Sequence, residues 1–279
     1  MKALLSCAAL GLTSCASISS PPSLAPGAHY VAMGSSFAAG VGIGPLRPGS
    51  PERCGRTTNN YASLTAARFS LALDDHSCSG ATTAHLLRGW DDLLPQLFGV
   101  RPDTRLVTIT VGGNDLGYMG LLFAASCDPA AGLTVGNANR PCPAPPPLPG
   151  EADYAALEAN LVQIARSVRA IAPAARVIFI QYVTLVPEQL CNATPISAEA
   201  AANARQLARR LAAVTASAAA AAGAEVLAAD QLSASHTPCD ADPFSNGFVV
   251  ASARPGAPWH PTAEGHQAIA EALAAVLAN

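Results

Sequence analysis

The chain has 279 residues, of which 50% are hydrophobic and 13% are charged, and its formal net charge is −3. Disordered chains combine low hydrophobicity with high net charge, so this composition excludes disorder. With 16 basic residues against 19 acidic ones, the chain has no electrostatic footprint for phosphate, which argues against a nucleic-acid partner. The length suffices for one large domain or two small ones with a sizeable core.

Residues 1–14 are predicted to be an export signal. A lysine supplies the positive charge, and the apolar run from Ala3 to Leu12 is too short to span a bilayer. A leucine three residues before Cys15, with small residues between them, resembles a bacterial lipobox, so we expect cleavage before Cys15 and lipidation of that cysteine. An ordinary secretory signal cut near Ala16 and an uncleaved anchor are the alternatives. Residues 15–28 then form a tether.

The number of cysteines also indicates that the protein is exported. Of the 8 cysteines, two lie at or before the predicted cleavage site, so 8 − 2 leaves six. An even number in an exported chain argues for disulfides, for which six cysteines allow 15 connectivities. Pairing in sequence is favoured because Cys127 and Cys142 bracket one proline-rich excursion, and the absence of a CxxC pair or a zinc-spaced cluster predicts no metal site. The six are Cys54, Cys78, Cys127, Cys142, Cys191 and Cys239.

Predicted strands and helices alternate along residues 29–279, which we expect to form one domain. Strands are predicted at His29–Met33, Leu71–Ser77, Arg105–Val111, Ala175–Val183 and Ala224–Ala229. Helices are predicted at Tyr61–Phe69 (capped by Asn59 or Asn60), Glu151–Ile171, Ser197–Ala222 and Thr262–Leu277, and Cys127–Gly150 is predicted to be a loop. This alternation predicts an α/β fold, a parallel sheet between two layers of helices.

Polar residues follow the predicted strands at the edge where such sheets place their sites. The first strand is followed by Gly34–Gly40 (GSSFAAG), the second by Ser79–Thr83 (SGATT) and the third by Gly112–Asp115 (GGND), and His260 precedes the last helix. Taken singly, each of these blocks has an ordinary structural explanation, such as a turn, a helix cap or a structural histidine. Together they supply what ester hydrolysis needs.

Ester hydrolysis requires a nucleophile, a base within hydrogen-bond reach and donors aimed at the developing oxyanion. Ser36 is the candidate nucleophile and His260 the candidate base. The backbone N–H groups of Ser36 and Gly80 and the side-chain amide of Asn114 are the candidate oxyanion donors, because an asparagine amide donates without repelling negative charge.

These four blocks, in this order and spacing, resemble the SGNH hydrolases, also called the GDSL esterase/lipase family, over Tyr30–Ala275. The six cysteines and the SCSGATT stretch are similar, more narrowly, to the secreted esterases of actinobacterial type. The resemblance implies a three-layer α/β/α sandwich with about five parallel strands and an esterase or lipase that needs no metal or organic cofactor. It also implies the disulfides Cys54–Cys78, Cys127–Cys142 and Cys191–Cys239.

Two positions depart from the family pattern. The family usually has Asp just before its serine, where this chain has Ser35; the motif register favours Ser36 as nucleophile. The family commonly has Asp three residues before its histidine, where this chain has Ala257. We expect the Ala257 carbonyl to orient His260 in a Ser–His dyad, as the secreted subgroup implies. Substitution by the carboxylates of Asp240 or Asp242 and a poorly oriented, slow or dead site are the alternatives.

The sequence therefore predicts an exported, lipid-anchored, monomeric serine esterase, attached to the membrane only through that anchor. Acylglycerols are the first choice of substrate; a deacetylase of envelope polysaccharide and a non-catalytic envelope-binding lipoprotein are the alternatives. Trp90, Trp259 and the segment Leu116–Phe123 line an acyl pocket or belong to the core. Structural roles are predicted for His29, His76, His85, His236 and His266.

Overall fold

The structure is a computed structural model that describes residues 24–135 and 138–278. The predicted export signal, its cleavage site and Cys15 lie outside the described residues. None of the described helices is both long enough and apolar enough to cross a membrane.

Five parallel strands form the centre of the fold. The described strands are, in chain order, β1 (His29–Gly34), β2 (Ala72–Asp75), β3 (Thr104–Thr110), β4 (Leu133–Val135), β5 (Ala138–Arg140), β6 (Arg176–Ile180) and β7 (Glu225–Leu227). The order across the central sheet is β2-β1-β3-β6-β7. All six residues of β1 are buried, as expected of a strand covered on both faces. In the sheet, β2 lies on one side of β1, and β3, β6 and β7 follow on the other side. The strand order therefore reverses between β1 and β3, which are neighbours. Ligand sites of such sheets lie at this point, beyond the carboxyl ends of the strands.

Helices pack in two groups, as three-layer packing requires. The described helices are α1 (Ser36–Ala39), α2 (Tyr61–Phe69), α3 (Thr83–Arg88), α4 (Tyr118–Ser126), α5 (Glu151–Ile171), α6 (Ala198–Ala222), α7 (Ala229–Leu232) and α8 (Ala263–Ala278). One group joins α2 to α8, and the other joins α5 to α3 and α6, with α4 against α6. Right-handed crossovers in this strand order place the two groups on opposite faces of the sheet. The predicted α/β/α sandwich is confirmed.

Most predicted elements are present, with local differences. Helix α5 has the predicted bounds, and Asn60 rather than Asn59 caps α2, since its side chain accepts a hydrogen bond from Ser63 N–H at 2.8 Å. The prediction of a loop throughout Cys127–Gly150 is wrong in part, because β4 and β5 pair there as a short antiparallel hairpin. Threonine and valine in β4 favour an extended backbone, a signal that the surrounding prolines and glycines masked.

All three predicted disulfides are present, joining Cys54 to Cys78, Cys127 to Cys142 and Cys191 to Cys239. The first ties the segment after α1 to the segment just before Gly80. The second closes the proline-rich excursion, and the third ties the segment after β6 to the one preceding the histidine loop. Each bond therefore restrains a loop at or near the carboxyl edge of the sheet.

Candidate active site

The serine segment begins where β1 ends beside β3. Gly34 has φ +136°, and a Cβ there would lie 2.2 Å from the carbonyl oxygen of Thr110, so only glycine allows this approach of the two strand ends. The next residue, Ser35, donates its N–H to the same Thr110 carbonyl at 2.9 Å. Ser36 is then the first residue of α1, where a backbone N–H has no acceptor within the helix. Ser36 as a whole residue is 95% buried.

His260 lies against this serine from the other end of the chain. Its Nε2 is 2.8 Å from Ser36 Oγ, and its Nδ1 is 2.7 Å from the carbonyl oxygen of Pro258. A carbonyl oxygen can only accept, so Nδ1 carries the hydrogen and Nε2 presents a lone pair to the serine hydroxyl. The predicted pairing of Ser36 with His260 is present in the structure.

The oxygen that orients His260 belongs to Pro258, so the prediction that Ala257 supplies it is wrong. The Ala257 carbonyl instead lies 3.5 Å from Asn246 Nδ2. The reason is the backbone at Trp259, which has φ +57° in the left-handed region. That turn directs the carbonyl of residue 258 toward the ring two positions later.

Tertiary contacts hold this turn in place. Trp259 is fully buried, and its indole N–H donates to Ser126 Oγ at 3.0 Å. Its backbone N–H donates to the Gly247 carbonyl at 3.0 Å, and the His260 carbonyl accepts from Asn246 N–H at 2.8 Å. The histidine loop is therefore paired with the segment around residues 245–247. An uncommon backbone conformation persists when its surroundings over-determine it in this way.

Burial lowers the pKa of His260 below its usual 6.5, while the hydrogen bond to the Pro258 carbonyl acts in the opposite direction. The imidazole is consequently neutral at pH 7. Of the two aspartates considered as substitutes, Asp240 has its carboxylate engaged by Thr237 N–H and Oγ1, both at 2.7 Å. Among the described residues, no carboxylate contacts the His260 ring.

The two other predicted donors are held next to each other. Gly80 has φ +82°, and a Cβ there would lie 3.1 Å from the ring of Trp90. Asn114 donates one amide hydrogen to the Ala81 carbonyl at 3.0 Å, which orients the side chain and leaves its second hydrogen available. The N–H of Cys78 donates to the Gly34 carbonyl at 2.9 Å and so ties this segment to the end of β1.

Asp115 fixes the loop that carries Asn114. Its carboxylate accepts from Thr83 N–H at 3.0 and 3.1 Å and also from the Thr83 hydroxyl, at the first residue of α3. Burial raises the pKa of Asp115, and the bonds from Thr83 oppose that change. The sequence assigned Asp115 no separate role, although its position directly after Asn114 marks it as part of the same block.

Sequence reasoning missed Tyr182. Its hydroxyl accepts from Gly113 N–H at 3.0 Å and lies 3.2 Å from Ser35 Oγ, so it bridges the residues that precede Ser36 and Asn114. Burial raises the pKa of Tyr182 to about 12, which keeps the hydroxyl protonated. The prediction placed Tyr182 inside a strand; the structure ends β6 at Ile180 and puts the tyrosine at the carboxyl edge. A hydroxyl-bearing residue closing a buried strand was the available signal.

The remaining sequence candidates occupy other positions. Trp259 is in the core, Phe123 packs edge-on against Phe248, and Trp90 is half-buried beside Gly80. Five histidines contact structural partners, namely His29 with Thr104, His76 with Asp74, His85 with Thr82, His236 with Phe244 and His266 with Tyr61. In the described part of the chain, no group of three or more His, Cys, Asp or Glu side chains is arranged to hold a metal ion.

Comparisons with known proteins agree with this geometry. Residues 32–268 match the model of the GDSL-like lipase/acylhydrolase family. Lipase 2 of Streptomyces coelicolor is 34% identical over 184 residues, which cover 64% of this chain and 60% of Lipase 2. The chain thus spans about three fifths of that relative's length.

Two crystal structures are similar along nearly their whole length. The extracellular lipase of Streptomyces rimosus superposes with a TM-score of 0.69 at 28% identity, covering 88% of this chain and 98% of the lipase. Phospholipase A1 of Streptomyces albidoflavus superposes with a TM-score of 0.68 at 26% identity, covering 89% and 99% of the two chains. The chain belongs to the GDSL-like lipase/acylhydrolase family and is a carboxylic ester hydrolase.

Proposed function

We propose that Ser36 and His260 are the nucleophile and the general base of this hydrolase, acting as a dyad without a carboxylate. The observation that carries the proposal is the chain of contacts from Ser36 Oγ to His260 Nε2 at 2.8 Å and from Nδ1 to the Pro258 carbonyl at 2.7 Å. A base must lie within hydrogen-bond reach of the proton that it removes, in the correct tautomer, and this imidazole meets both conditions.

The first half-reaction transfers the acyl group to the enzyme. Ser36 Oγ attacks the ester carbonyl carbon while its proton moves to His260 Nε2. The resulting imidazolium keeps its Nδ1–H on the Pro258 carbonyl, whose dipole stabilises the positive charge in place of a carboxylate. When the tetrahedral intermediate collapses, Nε2 returns the proton to the departing alcohol and the acyl group stays on Ser36.

The oxyanion of that intermediate accepts from the N–H groups of Ser36 and Gly80 and from the free amide hydrogen of Asn114. Neither backbone N–H has an acceptor among the residues that the structure describes, so both are available to a ligand. Such fixed donors stabilise charge that develops only during the reaction. In the second half-reaction a water attacks the acyl carbon and gives one proton to Nε2. The bond from the acyl carbon to Ser36 Oγ then breaks, Nε2 returns the proton to Oγ, and the acid leaves.

Acyl lipid esters are the proposed substrate class, and the names of the relatives support it: Lipase 2 and the lipase and phospholipase A1 of known structure. We also propose that the protein is exported. Three disulfides are typical of proteins that fold in an oxidising compartment, and the Streptomyces rimosus relative is extracellular. Lipidation of Cys15 remains a prediction from the leader sequence.

The test compares the purified protein with Ser36→Ala and with Ser35→Ala as a matched control, on esters from acetate to long acyl chains and on acetylated sugars. We expect Ser36→Ala to lower kcat by roughly 10⁴-fold to 10⁶-fold, while Ser35→Ala, which loses only the contact with the Tyr182 hydroxyl, lowers it by at most about tenfold. Equal activity of Ser36→Ala and the parent protein would overturn the nucleophile assignment. Turnover confined to acetylated sugars would favour a deacetylase, and no turnover by the parent protein would favour a non-catalytic binding role.

A further inference from the structure

The ring of Phe37 packs against the imidazole of His260. Phe37 directly follows Ser36 in α1, and the residue is almost fully buried. The centroids of the two rings are 4.9 Å apart, and their planes are tilted by 36°. Of the arrangements that aromatic rings prefer, offset stacking fits this tilt better than an edge-to-face contact. The imidazole therefore lies against the face of Phe37.

A second aromatic ring holds Phe37 in this position. The ring of Tyr182 packs against Phe37 with 4.4 Å between the centroids and a tilt of 47°. The Tyr182 hydroxyl accepts from Gly113 N–H at 3.0 Å, which fixes the tyrosine to the loop after β3. A buried side chain that packs on two rings has no space to turn away from either of them. The contact between Phe37 and His260 is therefore a fixed part of the site.

The positive charge that His260 acquires during the reaction has no carboxylate beside it. Burial lowers the pKa of His260 and the Pro258 carbonyl raises it, and no charged side chain among the described residues adds to these two influences. In a triad, a buried carboxylate stabilises the imidazolium. In this site the Pro258 carbonyl dipole and the face of Phe37 are the groups that contact the ring besides Ser36.

An aromatic face can supply part of the missing stabilisation. The negative face of the ring attracts a cation within about 6 Å of its centroid, and the attraction is strongest where water is excluded. The imidazole of His260 lies inside this range, and both residues are buried. The attraction arises only while His260 carries the extra proton. It therefore stabilises the transition state more than the ground state, which is the condition for an effect on the rate.

We propose that Phe37 is a positioning residue of this hydrolase, which stabilises the imidazolium of His260 through a cation–π contact and so takes over part of the role of a triad carboxylate. The inference rests on the proposed dyad of Ser36 and His260. Phe37 acts through His260: its face orients the imidazole that receives the serine proton and attracts that ring while it is charged. The electron density of the Phe37 ring, and not only its size, then sets how strong a base His260 is.

The test replaces Phe37 in the purified protein by phenylalanines that carry one, two and three fluorines on the ring. Each fluorine withdraws electrons from the face and changes the shape of the ring little. We expect kcat/KM on a soluble ester at pH 8 to fall stepwise, by roughly threefold to tenfold with three fluorines. The matched control is the trifluoro ring at Phe179, which is equally buried in β6 and, among the described ring contacts, stacks on neither His260 nor Tyr182. We expect the control to keep the parent kcat/KM.

The pKa of His260 separates an electrostatic role of Phe37 from a packing role. Nitrogen NMR of the Ser36→Ala protein measures this pKa, so that no step depends on ester hydrolysis. The titratable groups near the two rings are neutral around pH 6, since His266 on α8 has a pKa of about 3 and Tyr182 has a pKa of about 12. A cation–π contact favours the charged imidazole, so we expect the trifluoro ring at Phe37 to weaken proton binding by His260 about threefold to tenfold, which lowers its pKa.

The outcomes distinguish this proposal from the proposed dyad. A pKa of His260 that stays constant along the fluorine series would overturn the role of Phe37, and so would an equal loss of kcat/KM in the Phe179 control. Full activity of the Ser36→Ala protein would instead overturn the dyad, and the NMR titration would still report on the contact. If the trifluoro protein does not fold, the protein with one fluorine, which adds a single atom, should show a smaller fall of the same pKa.

Discussion

His260 and His266 are six residues apart and both are buried, but their ring nitrogens contact different groups. His260 lies in the loop before α8 and His266 in its first turns, and burial lowers the pKa of both, that of His266 to about 3. His260 has a carbonyl oxygen on Nδ1 and a serine hydroxyl on Nε2. His266 Nδ1 instead accepts from the N–H of Tyr61 at 3.1 Å, and its ring stacks on that of Tyr61 at an angle of 21°.

The difference shows that burial alone does not make a general base. In both residues, desolvation keeps the ring neutral. The lone pair of His266 is used to satisfy a backbone N–H at the start of α2, a group that lacks an acceptor within its own helix. The lone pair of His260 faces a hydroxyl that can react. The partner of the unprotonated nitrogen, and not the pKa, separates the catalytic candidate from the structural residue.

The largest effect on kcat is expected when His260 is replaced, and His266 provides the control. His260→Ala should lower kcat by roughly 10⁴-fold to 10⁶-fold, because none of the other residues that the structure describes offers a base within reach of Ser36. His266→Gln keeps an acceptor for Tyr61 N–H and should keep kcat within a few-fold of the parent protein. Steady-state kinetics on one soluble ester, with both variants checked for folding by circular dichroism, measures the contrast. Comparable losses of kcat in two folded variants would refute the distinction.

Asn114→Ala is expected to have the next largest effect. The side chain is held by the Ala81 carbonyl and has one amide hydrogen left for the oxyanion. Its loss should lower kcat about 100-fold to 1,000-fold with little change in KM, since the bond forms in the transition state. The split between kcat and KM is the measurement. A variant that raises KM but keeps kcat would show that Asn114 binds substrate and does not stabilise the oxyanion.

Tyr182→Phe tests a residue that supports the site without contacting Ser36 or His260 among the described hydrogen bonds. The change removes the hydroxyl that joins Ser35 to Gly113, and we expect kcat to fall about tenfold, because the serine and asparagine loops lose a shared anchor. The matched control is Tyr118→Phe, since Tyr118 is as buried and its hydroxyl has no partner among the described residues. Equal changes in kcat for both variants would show that Tyr182 matters only for packing.

The elements that are regular in sequence could be predicted well. The period of apolar residues in Glu151–Ile171 gave both ends of α5, and the β-branched run after Thr104 gave β3, because local pattern decides such elements. Ser36, Gly80, Asn114 and His260 could be named as candidates because each follows a strand or precedes a helix, where a parallel sheet collects its site.

The features that could not be predicted depend on contacts between distant segments. Pro258 orients His260 only because Trp259 adopts a left-handed backbone, and that conformation is held by Ser126 and Gly247, far away in sequence. Tyr182 joins two loops that meet only after the sheet has formed. No pattern of spacing near either residue records these partners, so tertiary structure was needed to identify them.

The central claim is that His260 is a neutral base whose Nδ1–H is held by a backbone carbonyl. Nitrogen NMR of the imidazole, assigned by loss of its signals in His260→Ala, tests it most directly. Because burial lowers the pKa of His260 below 6.5, we expect the neutral Nδ1–H form at pH 7, with protonation and loss of kcat/KM only as the pH falls below 6.5. A ring that is charged at pH 7, or that carries its hydrogen on Nε2, would contradict the account.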